Sequence, residues 1–132
     1  LSTLHSGSPA GALLRLLEMG IEPYQVTSSV QAVLNQRLLR KLCDQCKHRS
    51  GKVEFAGVQG CQACLHSGYR GRVLIAELVE LDGELRQALL AKADLDQLDT
   101  LLQNRGHMTL HQSALQQLRQ HVTSQEEIDK LG

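Results

Sequence analysis

The two stretches CDQC (residues 43–46) and CQAC (residues 61–64) contain every cysteine of this 132-residue chain, and fourteen residues separate them. Two residues between the cysteines of a pair allow both thiolates to face one ion from a tight turn. Two such turns complete a tetrahedral shell of four sulfurs, which leaves no open position for a catalytic water. The spacing therefore predicts a structural Zn²⁺ site formed by Cys43, Cys46, Cys61 and Cys64.

Three other uses of these thiols remain open. Two disulfides would require an oxidising compartment, whereas residues 1–5 (LSTLH) lack the basic and apolar regions of a secretory signal. A redox-active C-x2-C pair usually occurs alone, near a βαβ unit. An iron–sulfur cluster could also use four thiolates, although the regular spacing favours zinc. His48 and His66 lie near the pairs in sequence, and they either support the ligands or lie on the surface.

The composition around the cysteines favours helices. Leucine supplies 25 residues and glutamine 14, whereas Phe, Tyr and Trp together supply three. Valine, isoleucine and threonine are too scattered for an all-β sandwich. The core is therefore expected to be aliphatic and mostly helical. No apolar run approaches the length of a transmembrane helix.

Residues 1–42 form the first predicted segment. A strand end over residues 1–8 precedes a helix that begins at Pro9 and stops at Gly20. Apolar residues recur at three-to-four spacing from Val26 to Leu42, which predicts a long helix over residues 23–42.

Residues 43–70 are the predicted metal-binding segment, and residues 71–132 the third segment. The third begins with a strand over residues 71–81. Short helices follow, the first over residues 84–91, and side-chain capping pairs predict the starts of the others at Asp94/Gln97, Thr109/Gln112 and Thr123/Glu126.

Charge is segregated along the chain although its net value is zero. Residues 36–72 carry eight Lys/Arg against two acidic residues, and residues 76–132 carry five against ten. The basic segment suits phosphate in nucleotide, nucleic acid or lipid, or else balances an anionic metal–thiolate centre. A lipid-facing role would use Lys47, Arg49 and Lys52. Specific nucleic-acid binding is disfavoured, because aromatic residues for base stacking are scarce and no recognition-helix pattern follows the cysteines.

Four further stretches occur in a characteristic order: RLLEMGIEP (15–23), NQRLLRKLCDQC (35–46), GCQACLHSGYRGR (60–72) and GHMTL (106–110). With LSTLH at the start, they closely resemble the C-terminal third of the type II secretion and type IV pilus assembly ATPases, the hexameric traffic-ATPase family. Two departures are the short spacing between the cysteine pairs, which leaves in doubt any partner role of that loop, and Asn35, where alanine is common.

The resemblance implies an α/β fold that turns mostly α. It would comprise the C-terminal remnant of a RecA-like P-loop ATPase core, a small zinc-knuckle subdomain and a helical C-terminal subdomain. His5 matches the end of the family's histidine box, near the γ-phosphate. Arg15, Arg37 and Arg72 match arginines that either approach phosphate or bridge subunits.

The chain contains neither the G-x-x-x-x-G-K-[ST] motif nor a Walker-B-like strand, so no nucleotide-binding residue is assigned in it. We expect a fragment of a longer ATPase that hydrolyses no ATP alone, whereas its parent would bind ATP and Mg²⁺. The resemblance implies a homohexamer at the cytoplasmic face of the bacterial inner membrane, peripheral to it. Its partners would be an inner-membrane platform and cytoplasmic domains of the machine.

Two other functions remain open. A stand-alone zinc-ribbon adaptor would bind protein or nucleic acid without nucleotide. A retraction ATPase of the same superfamily is disfavoured, because such enzymes generally lack the four cysteines.

Overall fold

The computed structural model describes residues 1–47 and 60–131, and in this part of the chain six α-helices and a two-stranded sheet are formed. This confirms an α/β fold that is mostly α. In chain order the elements are α1 (Pro9–Glu18), α2 (Pro23–Ser29), β1 (Ala32–Leu42), a short 3₁₀ turn (Gln62–Cys64), β2 (Tyr69–Glu80), α3 (Gly83–Leu90), α4 (Leu95–Asn104), α5 (Leu110–Arg119) and α6 (Gln125–Asp129).

The prediction of one helix over residues 23–42 is wrong. The helix α2 ends at Ser29, Val30 is extended (φ −82°, ψ 122°), and β1 begins at Ala32. The strand β1 pairs with β2: the Leu81 N–H donates to the Gln31 carbonyl, and the Cys43 N–H donates to the Gly68 carbonyl, both at 2.9 Å. These two bonds make the strands antiparallel. Pairing with a strongly β-forming partner outweighs a local helical pattern, because strand propensity depends on neighbouring strands.

The strand end predicted over residues 1–8 is also not formed, since residues 1–6 have no regular secondary structure. A strand needs a neighbour that takes its backbone hydrogen bonds. In the described residues the sheet consists of β1 and β2 alone.

Side-chain caps fix the helix starts largely as predicted. The Ser8 hydroxyl accepts from the Gly11 N–H at the start of α1, and reciprocal caps open α4 at Asp94/Gln97 and α5 at Thr109/Gln112. The start of α6 lies one residue later than predicted. Ser124 caps this helix, because the Thr123 hydroxyl instead donates to the Arg40 carbonyl on β1 at 2.9 Å.

The described chain divides into two compact units, each built from two stretches of sequence. The first unit comprises Leu1–Asn35 and Glu77–Met108. In it, α1 packs on α2 and α4, and α3 packs on the same two helices. Burial of apolar surface stabilises this unit, and its core consists of Ala10, Leu13, Val26, Val79, Leu81, Leu85, Leu89, Leu98 and Leu102.

The second unit comprises Gln36–Ala76 and Thr109–Gly132, of which residues 48–59 and 132 lie outside the described residues. Its apolar core is formed by Leu39 and Ile75 from the sheet with Ala114 and Ile128 from α5 and α6. These two units are defined by contacts between residues, whereas the predicted segments 1–42, 43–70 and 71–132 follow the order of the sequence. The predicted division therefore stays a prediction. Among the described residues, no helix has both the length and the apolar character needed to cross a membrane.

A polar cluster joins α6 to both strands within the second unit. The buried Glu127 carboxylate accepts from the Arg40 backbone N–H and from the Arg40 Nε, each at 2.8 Å. The Arg40 guanidinium lies 4.0 Å from the centre of the Tyr69 ring, and the Tyr69 hydroxyl lies 2.7 Å from the Ser124 hydroxyl. Burial alone would raise the pKa of Glu127, but the hydrogen bonds from Arg40 and Lys130 lower it to about 2.

We expect Glu127→Gln to lower the free energy of unfolding by about 1–3 kcal/mol at pH 7. This range already allows for solvent screening of the ion pair, because the Arg40 side chain is 42% exposed. Because the pKa is depressed in the folded state, this stability is present above the unfolded pKa and is lost as pH falls. The difference from wild type should therefore shrink by up to about 1 kcal/mol between pH 6 and pH 4, measured by urea unfolding. Glu126→Gln is the control, since the Glu126 side chain is 62% exposed. Equal effects of the two substitutions would contradict this account.

Candidate metal centre

The four cysteines converge at one end of the two strands. Cys43 follows β1 directly, and Cys46 lies in the next turn. Cys61 caps the 3₁₀ turn before β2, and Cys64 is the last residue of that turn. Cys43, Cys46 and Cys64 are buried, and Cys61 is partly exposed. All four Sγ atoms lie within 4.8 Å of one another, so these residues could hold a metal ion such as zinc.

The sulfur geometry fits a single tetrahedral ion. The Sγ–Sγ distance is 3.8 Å for Cys43–Cys61 and 3.9 Å for both Cys46–Cys64 and Cys61–Cys64. A tetrahedral ion with metal–sulfur bonds of about 2.3 Å places its sulfurs about 3.8 Å apart. A disulfide would require about 2.05 Å. Four thiolates at this spacing are the donor set typical of structural zinc.

Among the four cysteines, the Cys64 sulfur accepts two backbone N–H groups, whereas the Cys61 sulfur accepts one, from Cys64. The Cys61 and Gly68 N–H groups each donate to the Cys64 Sγ at 3.2 Å. The hydrogen bond from Cys61, followed by that from Gly68, lowers the pKa of the Cys64 thiol to about 6 against the opposing effect of burial. Burial and the neighbouring thiols raise the pKa of Cys46 to about 12. The hydrogen bonds to its sulfur therefore favour the thiolate form of Cys64, which is the form that binds a metal.

The turn around the second cysteine pair depends on close backbone packing at Gly60. A Cβ at this position would lie 2.1 Å from the His66 carbonyl carbon, so only glycine fits without backbone movement. His66 itself is exposed, as the surface interpretation expects, and its N–H donates to the Cys61 carbonyl at 2.8 Å. His48, Arg49 and Lys52 lie outside the described residues.

The family resemblance assigns four residues to contacts with nucleotide or with another subunit, and these residues are divided between the two units. His5 and Arg15 belong to the first unit, where both are exposed, and Arg15 lies on α1. Arg37 and Arg72 belong to the second unit, on β1 and β2, and both are exposed. The Arg37 guanidinium donates to the Gln36 carbonyl at 3.0 Å. Neither Arg15 nor Arg72 forms an ion pair with any residue in the described ranges.

Sequence reasoning missed the residues that support the sulfurs, above all Ser67 and Gly68. Their only signal was a Ser-Gly pair shortly after the last cysteine, which is a common turn signature. It also missed the buried contact between Glu77 and His107 in the first unit, where His107 Nε2 lies 2.8 Å from the carboxylate.

Known proteins resemble this chain in sequence and in fold. The type IV pilus assembly ATPase PilB of Thermus thermophilus is 33% identical over 145 residues, covering 97% of this chain and 16% of the relative. The type II secretion system ATPase E of Vibrio cholerae is 35% identical over 143 residues, covering 97% of this chain and 28% of the relative. A solved structure, the Legionella pneumophila ATPase DotB, shares the fold with a TM-score of 0.61 and 14% identity, over 98% of this chain and 30% of that one.

The chain thus spans less than a third of the length of these relatives. The sequence profile of the family described as type II/IV secretion system protein matches residues 1–130. Since this match extends over nearly all of the 132 residues, the chain belongs to the type II/IV secretion system protein family.

Proposed function

We propose that this chain is the C-terminal part of a hexameric ATPase that powers type II secretion or type IV pilus assembly. The observation that carries the proposal is the family match over residues 1–130, among relatives that are named as ATPases of these two machines. In the whole protein, ATP hydrolysis would drive an inner-membrane platform. Residues 1–42 would complete a RecA-like core, residues 43–70 a zinc subdomain, and residues 71–132 a helical C-terminal subdomain.

The four cysteines hold Zn²⁺ in a structural role in this proposal. The sulfur spacing of 3.8–3.9 Å and the closed four-thiolate set support it. When bound, the ion supplies a crosslink between two short turns, and it offers no open position for catalysis. The cysteines would therefore stabilise the second unit at the end of β1 and the start of β2.

Nucleotide chemistry is assigned to the whole protein. ATP and Mg²⁺ would bind through a P-loop that the 132 residues do not contain. His5 would orient water or sense the γ-phosphate, and Arg72, Arg15 and Arg37 would contact phosphate or a neighbouring subunit. The exposure of all four side chains supports these roles, since each is accessible to a ligand or another chain.

The proposed location is the cytoplasmic face of the bacterial inner membrane, where other subunits, the platform and cytoplasmic domains of the machine would be the partners. The positive charge of residues 36–72 suits a surface near anionic lipid. In the described part of this segment, Lys47 is already paired with Asp44 at 2.8 Å. Neutralising Lys47, Arg49 and Lys52 should weaken binding to anionic liposomes or to the platform, and unchanged binding would argue against this surface.

The family match also bears on the two alternatives. A stand-alone adaptor is disfavoured, because the match is not confined to the cysteines but extends over residues 1–130. The four-cysteine centre favours the assembly or secretion branch over the retraction branch.

A chimera tests the proposed function. We expect the Vibrio cholerae type II secretion ATPase to keep ATP hydrolysis when this chain replaces its matching segment. In this chimera, His5→Ala or Arg72→Ala should lower kcat about 100-fold or more, because the proposal assigns His5 to the γ-phosphate and Arg72 to phosphate or a subunit contact. Phosphate release is the measurement.

Arg119→Ala is the control for the chimera, since Arg119 is an exposed arginine at the end of α5. A folded hexameric chimera without activity, or equal effects of Arg72→Ala and Arg119→Ala, would contradict the assigned roles. The chain alone is expected to release no phosphate above the buffer rate. Turnover by the chain alone that is lost with His5→Ala would overturn its proposed inactivity.

A further inference from the structure

Two consecutive residues after the last cysteine, Ser67 and Gly68, contact both halves of the metal centre. The Gly68 N–H donates to the Cys64 Sγ at 3.2 Å, and the Gly68 carbonyl accepts from the Cys43 N–H at 2.9 Å. One buried residue therefore bonds through its N–H to a sulfur of the second cysteine pair and through its carbonyl to the backbone of the first. Gly68 has a φ of +82°, a conformation that glycine adopts without strain.

The Ser67 hydroxyl holds this turn in place. Its oxygen lies 2.7 Å from the Cys64 carbonyl and 2.9 Å from the Tyr69 carbonyl, and it accepts from the Tyr69 N–H at 3.1 Å. A hydroxyl has one proton, so it donates to one of these carbonyls at a time, and the shorter distance favours Cys64. The hydroxyl thus spans the residues before and after Gly68, and it fixes the direction of the Gly68 N–H.

We infer that Ser67 is a positioning residue of the metal centre: through the turn it aims the Gly68 N–H at the Cys64 Sγ and makes Cys64 the most firmly held ligand. Hydrogen bonds to a metal-bound ligand orient it and tune its bond to the metal, and their loss commonly weakens metal binding. Ser67 is exposed and does not belong to the apolar clusters of the second unit. Its contribution to the turn therefore comes from the hydrogen bonds of its hydroxyl. This inference rests on the proposed zinc centre.

The test compares zinc affinity in Ser67→Ala and wild type by competition with a chelator of known affinity. We expect about 10- to 100-fold weaker binding in Ser67→Ala. Substitution of the metal by Co²⁺ gives a second measurement, the sulfur-to-cobalt charge-transfer band, which should shift because the Cys64–metal bond changes. Ser67→Thr keeps the hydroxyl and should restore both the affinity and the band.

Ser28→Ala is the matched control. The Ser28 side chain is also exposed, and its hydroxyl also donates to a backbone carbonyl three residues earlier, that of Gln25, at 3.3 Å. It should leave zinc affinity and the cobalt spectrum unchanged. A Ser67→Ala protein that melts at a lower temperature but keeps wild-type affinity and spectrum would overturn the inference, because the hydroxyl would then serve only the turn. Wild-type protein that binds no zinc would instead refute the metal centre itself.

Discussion

Replacing Cys64 with serine is expected to abolish tight zinc binding and to lower the melting temperature by about 10 °C or more. Cys64 is buried, accepts two backbone N–H bonds at its Sγ, and lies 3.9 Å from the sulfurs of Cys46 and Cys61. In the described residues this apolar cluster contains cysteines alone, so a bound ion would supply the main stabilising contribution there. Thermal melts followed by circular dichroism, with and without a strong zinc chelator, measure the effect.

The chelator itself supplies the control, since every cysteine of the chain belongs to the centre. It should lower the melting temperature of wild type and leave that of Cys64→Ser unchanged. A chelator effect of equal size in both proteins would show that stability does not depend on this site. A wild-type melt that the chelator leaves unchanged would show the same.

Leu89→Ala is expected to cost about 2–5 kcal/mol of unfolding free energy, because it removes a fully buried side chain from the core of the first unit. The neighbouring Leu90→Ala should cost about 0.5 kcal/mol, since Leu90 is 49% exposed on the same helix α3. The two substitutions have the same chemistry and nearly the same helical context. Urea unfolding at constant zinc concentration measures both.

The comparison between these two leucines tests which face of α3 is packed. Similar costs for both, or a larger cost for Leu90→Ala, would mean that α3 is rotated or unpacked relative to this structure. A large cost for Leu89→Ala alone supports a core made of α1 to α4 and the end of β2.

Local signals were enough to predict where α1, α4 and α5 begin. Ser8, Asp94 and Thr109 are helix caps in the structure as they were in the sequence, because a cap depends on residues only three positions away. The strand β2 was also predictable from its β-branched residues and partial alternation.

The strand β1 could not be predicted from its own residues. Its leucines follow a helical spacing, yet its conformation depends on pairing with β2, and the bonds at the two ends of this pairing join residues 25 and 50 positions apart. The single-residue error at α6 has a similar origin, since Thr123 bonds to Arg40 across 83 positions. Contacts between residues so far apart in sequence cannot be predicted from the spacing of neighbouring residues.

The metal centre likewise has one part that the local sequence predicts and another that it does not. Its four ligands follow from the two C-x2-C pairs, because the spacing alone brings each pair of thiolates together. The groups that support the ligands, Ser67 and Gly68, act through backbone geometry that spacing does not specify. The ion pair of Arg40 with Glu127 joins residues 87 positions apart and could be recognised only in the fold.

The proposed structural zinc centre is tested most directly by the metal content of the purified chain, measured by native mass spectrometry. We predict one zinc ion per chain, bound by Cys43, Cys46, Cys61 and Cys64 and lost when any one of them is replaced by serine. A folded chain that binds no zinc, and whose four thiols are freely alkylated, would contradict this proposal.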